Sequence, residues 1–92
     1  MARKIERDLY KALVASGFSF IGEGIRSINE IYRAVKSKYP TLCDDSYYCS
    51  TNCRSGHDQP EWNHSVRRAL HRLKSKNGTI VHTGQRGLWE FR

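Results

Sequence analysis

The last third of the chain constrains the fold most strongly, because a helical pattern there runs directly into the pattern of a β-hairpin. Residues 60–76 place apolar side chains at spacings of three and four, which is typical of an amphipathic helix, and Asn77 and Gly78 end it. Residues 79–92 alternate apolar and polar side chains on both sides of a glycine-containing segment, 83–87. The sequence therefore predicts a helix that packs against a two-stranded hairpin.

The predicted helix has an apolar face and a basic face. The apolar positions are Trp62, Val66, Ala69, Leu70 and Leu73, and the outward positions are His64, Arg67, Arg68, His71 and Arg72. From His64 to Lys76 the sequence has five lysines or arginines and no acidic residue. A basic stripe of this kind neutralises phosphates, and an arginine within it can bind a guanine edge through two parallel hydrogen bonds. The alternative interpretation is an ordinary solvated surface.

Further candidate DNA contacts lie at the start of this helix and at the hairpin tip. Asn63 and His64 occupy the N-terminal end of the helix, the end that usually points at base edges, and Asn63 has the amide that reads adenine. Gln85 and Arg86 lie at the tip, with His82 before them, where Arg86 is well placed to contact a phosphate or the minor groove. The alternative is an ordinary hairpin whose tip carries one arginine.

The order of a helix, an irregular segment, an arginine-rich helix, a Gly-Gln-Arg-Gly hairpin and a terminal aromatic strand resembles a winged-helix domain over residues 25–92. The tail, with Val-Arg-Arg-Ala-Leu-His-Arg-Leu-Lys at 66–74 and Gly-Leu-Trp-Glu-Phe at 87–91, further resembles the winged-helix modules attached to modification-dependent restriction endonucleases. The resemblance implies an α+β fold with a three-helix core and a C-terminal β-hairpin wing. It also implies sequence-specific reading of double-stranded DNA, and in some members of a methylated base, with helix 60–76 in the major groove.

The N-terminal part, residues 1–24, predicts a helix and a short strand. Within residues 3–15 the pattern turns Ile5, Leu9, Ala12 and Leu13 inward and leaves Glu6 outside. Alternation at 18–21 predicts the strand. The sequence Ser-Ile-Asn-Glu at 27–30 is a capping box, which predicts a second helix that ends at Tyr39-Pro40.

The segment 41–59 is polar, rich in turn-forming residues, and contains every cysteine. Cys43, Cys49, Cys53 and His57 supply three thiolates and one imidazole, a legitimate tetrahedral set for a structural zinc ion. Zinc binding would add folding free energy and order a long polar loop. The alternatives are that Cys43 packs as a small apolar residue while the other two are free thiols, or that Cys49 and Cys53 form a disulfide.

Composition bounds the remaining interpretations. A chain of 92 residues predicts one domain, and its net charge of +7 favours a polyanionic partner, first of all nucleic acid. No stretch approaches the ~20 apolar residues of a membrane helix, and the start has no signal-peptide pattern. We therefore expect no membrane partner and a cytoplasmic location, nucleoid-associated or nuclear. A homodimer is compatible with the sequence.

No catalytic constellation is apparent, so we expect a protein that is not an enzyme and acts as a transcriptional regulator or a DNA-targeting module of the restriction-modification kind. The carboxylates do not form a metal-nuclease set, and neither a phosphate-binding glycine loop nor a nucleophile elbow occurs. Two other functions remain open. One is a zinc-bearing protein that binds RNA or single strands through Tyr47, Tyr48 and the cysteine segment. The other is a winged helix whose basic face binds an acidic protein.

Overall fold

The computed structural model of the protein describes residues 4–47, 60–77 and 80–92. They form an α+β fold of three α-helices, one short 3-10 turn and a three-stranded antiparallel sheet in the order β1-β3-β2, an arrangement compatible with a winged-helix-like fold. In chain order the elements are α1 (Lys4–Ser16), β1 (Gly24–Ser27), α2 (Ile28–Lys38), the 3-10 turn (Pro40–Leu42), α3 (Glu61–Asn77), β2 (Ile80–His82) and β3 (Leu88–Phe91).

The predicted capping box starts α2. The Glu30 amide donates to Ser27 Oγ at 3.2 Å, and the Ser27 amide donates to Glu30 Oε1 at 3.1 Å. Two backbone donors at the start of the helix are thereby satisfied reciprocally. The helix ends before Pro40, as predicted.

The predicted strand at 18–21 was wrong, because the chain turns there. Gly17 and Phe18 both adopt positive φ, 62° and 59°, and the Gly17 amide donates to the Leu13 carbonyl at 2.9 Å, which closes α1. The left-handed backbone at Phe18 directs its ring into the core, where it is 1% exposed. The alternation of Phe18 and Phe20 arises from two aromatic rings that pack 6.0 Å apart, and not from a pleated strand.

The first strand instead lies at β1, a segment that the sequence pattern did not mark. Gly24 opens it with a φ of 120°, and Ile25 faces solvent with 57% of its surface exposed. The strand pairs with β3, from Gly24 opposite Phe91 to Ser27 opposite Leu88. Because Ser27 is also the N-cap of α2, the strand ends where the helix begins.

The core lies where α1, α2, α3 and one face of the sheet meet. All five apolar positions predicted for the third helix are buried, which confirms that face, and Trp89 and Phe91 face inward from β3. The buried apolar residues are Leu9, Leu13, Phe18, Ile31, Val35, Cys43, Trp62, Val66, Ala69, Leu70, Leu73, Ile80, Trp89 and Phe91.

Glu6 corrects the predicted orientation of α1. It is 0% exposed, whereas Ile5, expected inward, is 37% exposed. Glu6 precedes Leu9 and Leu13 by three and seven residues, so it shares their helical face. At this point α1 packs on α3, since Ser65 Oγ donates to the Glu6 carbonyl at 3.0 Å.

Candidate nucleic-acid interface

The outward side of α3 is basic, as its sequence predicts. Arg68, His71 and Arg72 are exposed, and Arg67 is half-buried. Within the described ranges, no carboxylate lies within ion-pair distance of Arg68 or Arg72. Two positive charges of this helix are therefore not neutralised by the acids of these ranges.

The β2–β3 loop, residues 83–87, lies beside α3 and forms a cleft with it. The cleft has a volume of about 330 Å³ and is lined by Ile28, Arg67, His71, His82, Arg86, Gly87 and Trp89. We call it the wing cleft. It brings together three residues predicted to contact DNA, namely Arg67, His71 and Arg86, and adds His82 and Trp89. Gln85 is exposed at the loop tip beside it.

Backbone hydrogen bonds fix the loop against the start of α2. The Ile28 amide donates to the Gly87 carbonyl at 2.8 Å, and the Gly84 amide donates to His82 Nδ1 at 3.1 Å. Gly84 and Gly87 have φ values of 89° and 77°, a left-handed conformation that glycine adopts without steric cost. The loop is thus tied to a helix end, with Arg86 exposed between the two glycines.

Arg67 is oriented by a residue that the sequence pattern did not mark, Tyr32 on α2. Arg67 Nε donates to the Tyr32 hydroxyl at 2.7 Å. The Tyr32 ring meets Trp62 edge-on, with centroids 5.6 Å apart, and Trp62 Nε1 donates to Asp45 Oδ1 at 2.8 Å. Burial raises the pKa of Tyr32, so its hydroxyl stays protonated at neutral pH. This chain of contacts orients the guanidinium at the edge of the wing cleft.

Arg68 points to a different side of α3 from Arg67. Its guanidinium carbon lies 4.9 Å from the centroid of the Tyr10 ring on α1, a cation–π contact. Consecutive residues of a helix project about 100° apart, which separates Arg67 from Arg68. The predicted stripe is therefore divided: Arg67 and His71 face the wing cleft, while Arg68 lies along α1.

Two imidazoles meet the Trp89 ring in the wing cleft. His71 and His82 approach it edge-on, with centroid distances of 5.2 and 4.8 Å. Burial lowers the pKa of His71, and the nearby charges of Lys74, His82 and Arg67 lower it further.

Asn63 does not fit its predicted role at the base edges. It is 9% exposed, because it lies three and seven residues before Val66 and Leu70 and so shares the inward face. His64 is half-buried, and its Nδ1 lies 3.8 Å from Glu61 Oε2. The exposed cations of α3 begin only at Arg68.

The zinc prediction falls almost entirely on residues beyond the described ranges. Cys43 is buried in the core, and burial raises the pKa of its thiol to about 11. Cys49, Cys53, His57 and Tyr48 lie outside the described residues, so zinc binding stays a prediction. Tyr47 is half-buried, and its carbonyl accepts a hydrogen bond from the Glu61 amide at 2.8 Å.

No known protein family, curated protein or solved structure matches this chain. Among the helices of the described ranges, none combines the length and apolar character of a membrane span.

Proposed function

We propose that this protein is a winged-helix module that binds double-stranded DNA through α3 and the β2–β3 loop. The observation that carries the proposal is the wing cleft, where side chains of α3 and the loop form one basic surface: Arg67, His71 and Arg86 line it together, and its described lining has no carboxylate. The order of elements, with a helix followed by the β2–β3 hairpin, supports the winged-helix assignment.

The proposed binding geometry follows from dimensions and charge. A major groove about 12 Å wide admits an α-helix. With α3 in the major groove, Arg72 and His71 face the groove walls or guanine edges. Arg86 and Gln85 contact the backbone or the minor groove beside the wing. The role that fits such a module is transcriptional regulation or the targeting of DNA, including methylated DNA.

Fluorescence anisotropy on a labelled duplex over a range of salt concentrations tests the proposal. Each phosphate contact contributes about 0.9 to the slope of log K against log salt. We expect Arg72→Ala and Arg86→Ala each to weaken binding and to lower this slope by roughly one unit. No binding to any duplex at low salt would contradict the proposal.

Lys38→Ala is the matched control, because it removes one positive charge far from the wing. Lys38 is the last residue of α2, an 11-residue helix whose first residue bonds to the loop. At 1.5 Å per residue the two ends lie about 16 Å apart. The salt slope of this variant should equal that of the wild type.

Arg67→Ala and Arg68→Ala separate the two sides of α3. Both should weaken binding if Arg68 also contacts a phosphate, whereas only Arg67→Ala should do so if Arg68 stays packed on the Tyr10 ring. Competition with single strands tests the alternative of single-strand binding, and equal affinity for duplex and heparin at every salt concentration contradicts sequence reading. A binding-site selection on methylated and unmethylated duplex pools identifies the sequence.

A further inference from the structure

The wing cleft has the size and charge of a site for an anionic group. Its volume of about 330 Å³ compares with about 30 Å³ for one water molecule in the liquid, so the cleft admits a tetrahedral phosphate. Arg67 and Arg86 both line it, one on α3 and one on the loop. A guanidinium matches the geometry of phosphate oxygens with parallel donors.

The two imidazoles of the cleft add hydrogen-bond donors to these charges. His82 Nδ1 accepts a hydrogen bond from the Gly84 amide at 3.1 Å. This assigns the proton of the neutral ring to Nε2, which makes that atom a donor. His71, on α3, also meets the Trp89 ring edge-on, so both imidazoles contact the same indole.

The surroundings of His71 oppose its positive charge while the cleft holds no anion. The cationic groups near it include Arg67 and Lys74 on its own helix and His82 on β2, and Arg86 lines the same cleft. Partial burial and these cations together lower the pKa of His71. No carboxylate occurs in the described lining to offset them. An anion among these groups reverses the balance, because an opposite charge within ~4–6 Å favours the protonated ring.

We propose that the wing cleft binds one backbone phosphate of the DNA and that His71 takes up one proton from solvent when it does so. The inference rests on the proposed DNA binding and adds to it a site of defined chemistry. The complex contains one proton more than the separated partners. His71 therefore has a higher pKa in the complex than in the free protein. Affinity for DNA increases as the pH falls through the range between these two pKa values.

Proton uptake on binding is the measurement that tests this site. Titration calorimetry of the same duplex in two buffers of different ionisation enthalpy counts the protons, and anisotropy at about pH 5.5 to 8 follows the affinity across the imidazole range. We expect net proton uptake by the wild type. Its affinity should increase up to tenfold for each unit by which the phosphate raises the pKa of His71. His71→Gln should abolish the uptake attributed to this ring and flatten the pH profile.

His64→Gln is the matched control, another imidazole on α3 but outside the wing cleft. Its ring lies 3.8 Å from the Glu61 carboxylate and does not line the wing cleft, so a phosphate bound in the cleft does not contact it. Whatever its affinity, this variant should keep the proton uptake of the wild type. Equal uptake by the wild type and His71→Gln, or a pH-independent affinity of the wild type, would overturn the inference while leaving DNA binding intact.

A second measurement tests whether the wing cleft binds phosphate if no duplex binds and the proposed function fails. Titration of the protein with inorganic phosphate, followed by NMR of the imidazole resonances, reports on the cleft alone. A raised pKa of His71 with phosphate, absent in Arg86→Ala, supports the cleft as a phosphate site whose source is free phosphate. An unchanged pKa overturns the inference together with the proposed function.

Discussion

Glu6 and Arg68 are charged residues whose roles in this fold differ from what their chemistry first indicates. Glu6 is fully buried under α3, and Arg68 packs over the Tyr10 ring. In both cases the helical face decides, because a residue on the inward face is buried whatever its polarity, and a long cationic side chain covers an aromatic neighbour. Residue type alone therefore does not identify which charged residues of this chain face the wing cleft.

Replacement of Glu6 by alanine should destabilise the protein. A buried carboxyl group that is removed leaves a cavity and the groups around it unsatisfied, which costs about 1–3 kcal/mol or more. Urea unfolding measures the loss. Arg7→Ala, at the exposed neighbouring position of the same helix, should change the free energy of unfolding by less than about 0.5 kcal/mol. Equal stability of the two variants would contradict the burial of Glu6.

Tyr32→Phe should both destabilise the protein and weaken DNA binding. The substitution removes the acceptor for Arg67 Nε, a hydrogen bond to a charged group worth about 1.5–3 kcal/mol. The ring contact with Trp62 remains, so the effect belongs to the hydroxyl. Urea unfolding and duplex anisotropy measure the two losses.

Tyr39→Phe provides the comparison for Tyr32→Phe. The Tyr39 ring also packs edge-on against an aromatic neighbour, Phe20, at 5.8 Å. Within the described ranges its hydroxyl has no hydrogen-bond partner, so the change should alter stability by less than about 0.5 kcal/mol. If Tyr32→Phe is equally mild, Tyr32 does not position Arg67.

At the scale of elements, the start of α2 is the point where the sheet, the helix and the β2–β3 loop are joined. The capping box joins β1 to α2 without a loop, and the first residue of α2 holds the β2–β3 loop through Gly87. The start of α2 therefore connects the sheet, the second helix and the proposed DNA-binding loop. A change at this junction should reach all three elements.

The junction should weaken in acid. The hydrogen bond from the Ser27 amide, followed by that of its hydroxyl, lowers the pKa of Glu30 below its usual 4.5. Because the folded pKa is depressed, the stabilisation is complete above pH 4.5 and is lost as the pH falls through the lowered value. Glu30→Gln should therefore differ most in stability from the wild type near neutral pH and converge with it in acid. NMR titration reports the Glu30 pKa directly, and a Glu30 pKa at or above 4.5 would contradict the prediction.

At the scale of the molecule, stability and the proposed binding depend on opposite faces of α3. Its inward face packs against α1, α2 and the sheet, and its outward face carries the exposed cations. Variants of the two faces should therefore separate the two properties.

Leu70→Ala and Arg72→Ala form this pair. Leu70 is 0% exposed, and its truncation should cost about 2–5 kcal/mol of unfolding free energy. The folded fraction of that variant should retain its DNA affinity. Arg72→Ala should behave in the opposite way, with normal unfolding and weaker binding. Loss of both properties in either variant would show that the two faces are not independent.

Much of the fold was predictable because local patterns carry it. The three helices and the hairpin begin and end within a residue or two of their predicted limits, since the periodicity of Leu70 and its neighbours, the Ser27 cap and Pro40 are local signals. β1 was not predictable, because a four-residue edge strand with Gly24 and Arg26 lacks alternating apolar residues and exists only by pairing with β3.

The sequence by itself determined which segments become helices and a hairpin and which face of the third helix is basic, because these depend on side-chain spacing within each segment. Only the tertiary structure decided that Arg67 joins His71 and Arg86 in one cleft while Arg68 turns toward Tyr10. It also decided that Asn63 and Glu6 are buried. These outcomes depend on which distant element packs against each face. The spacing of residues within one segment does not encode that pairing.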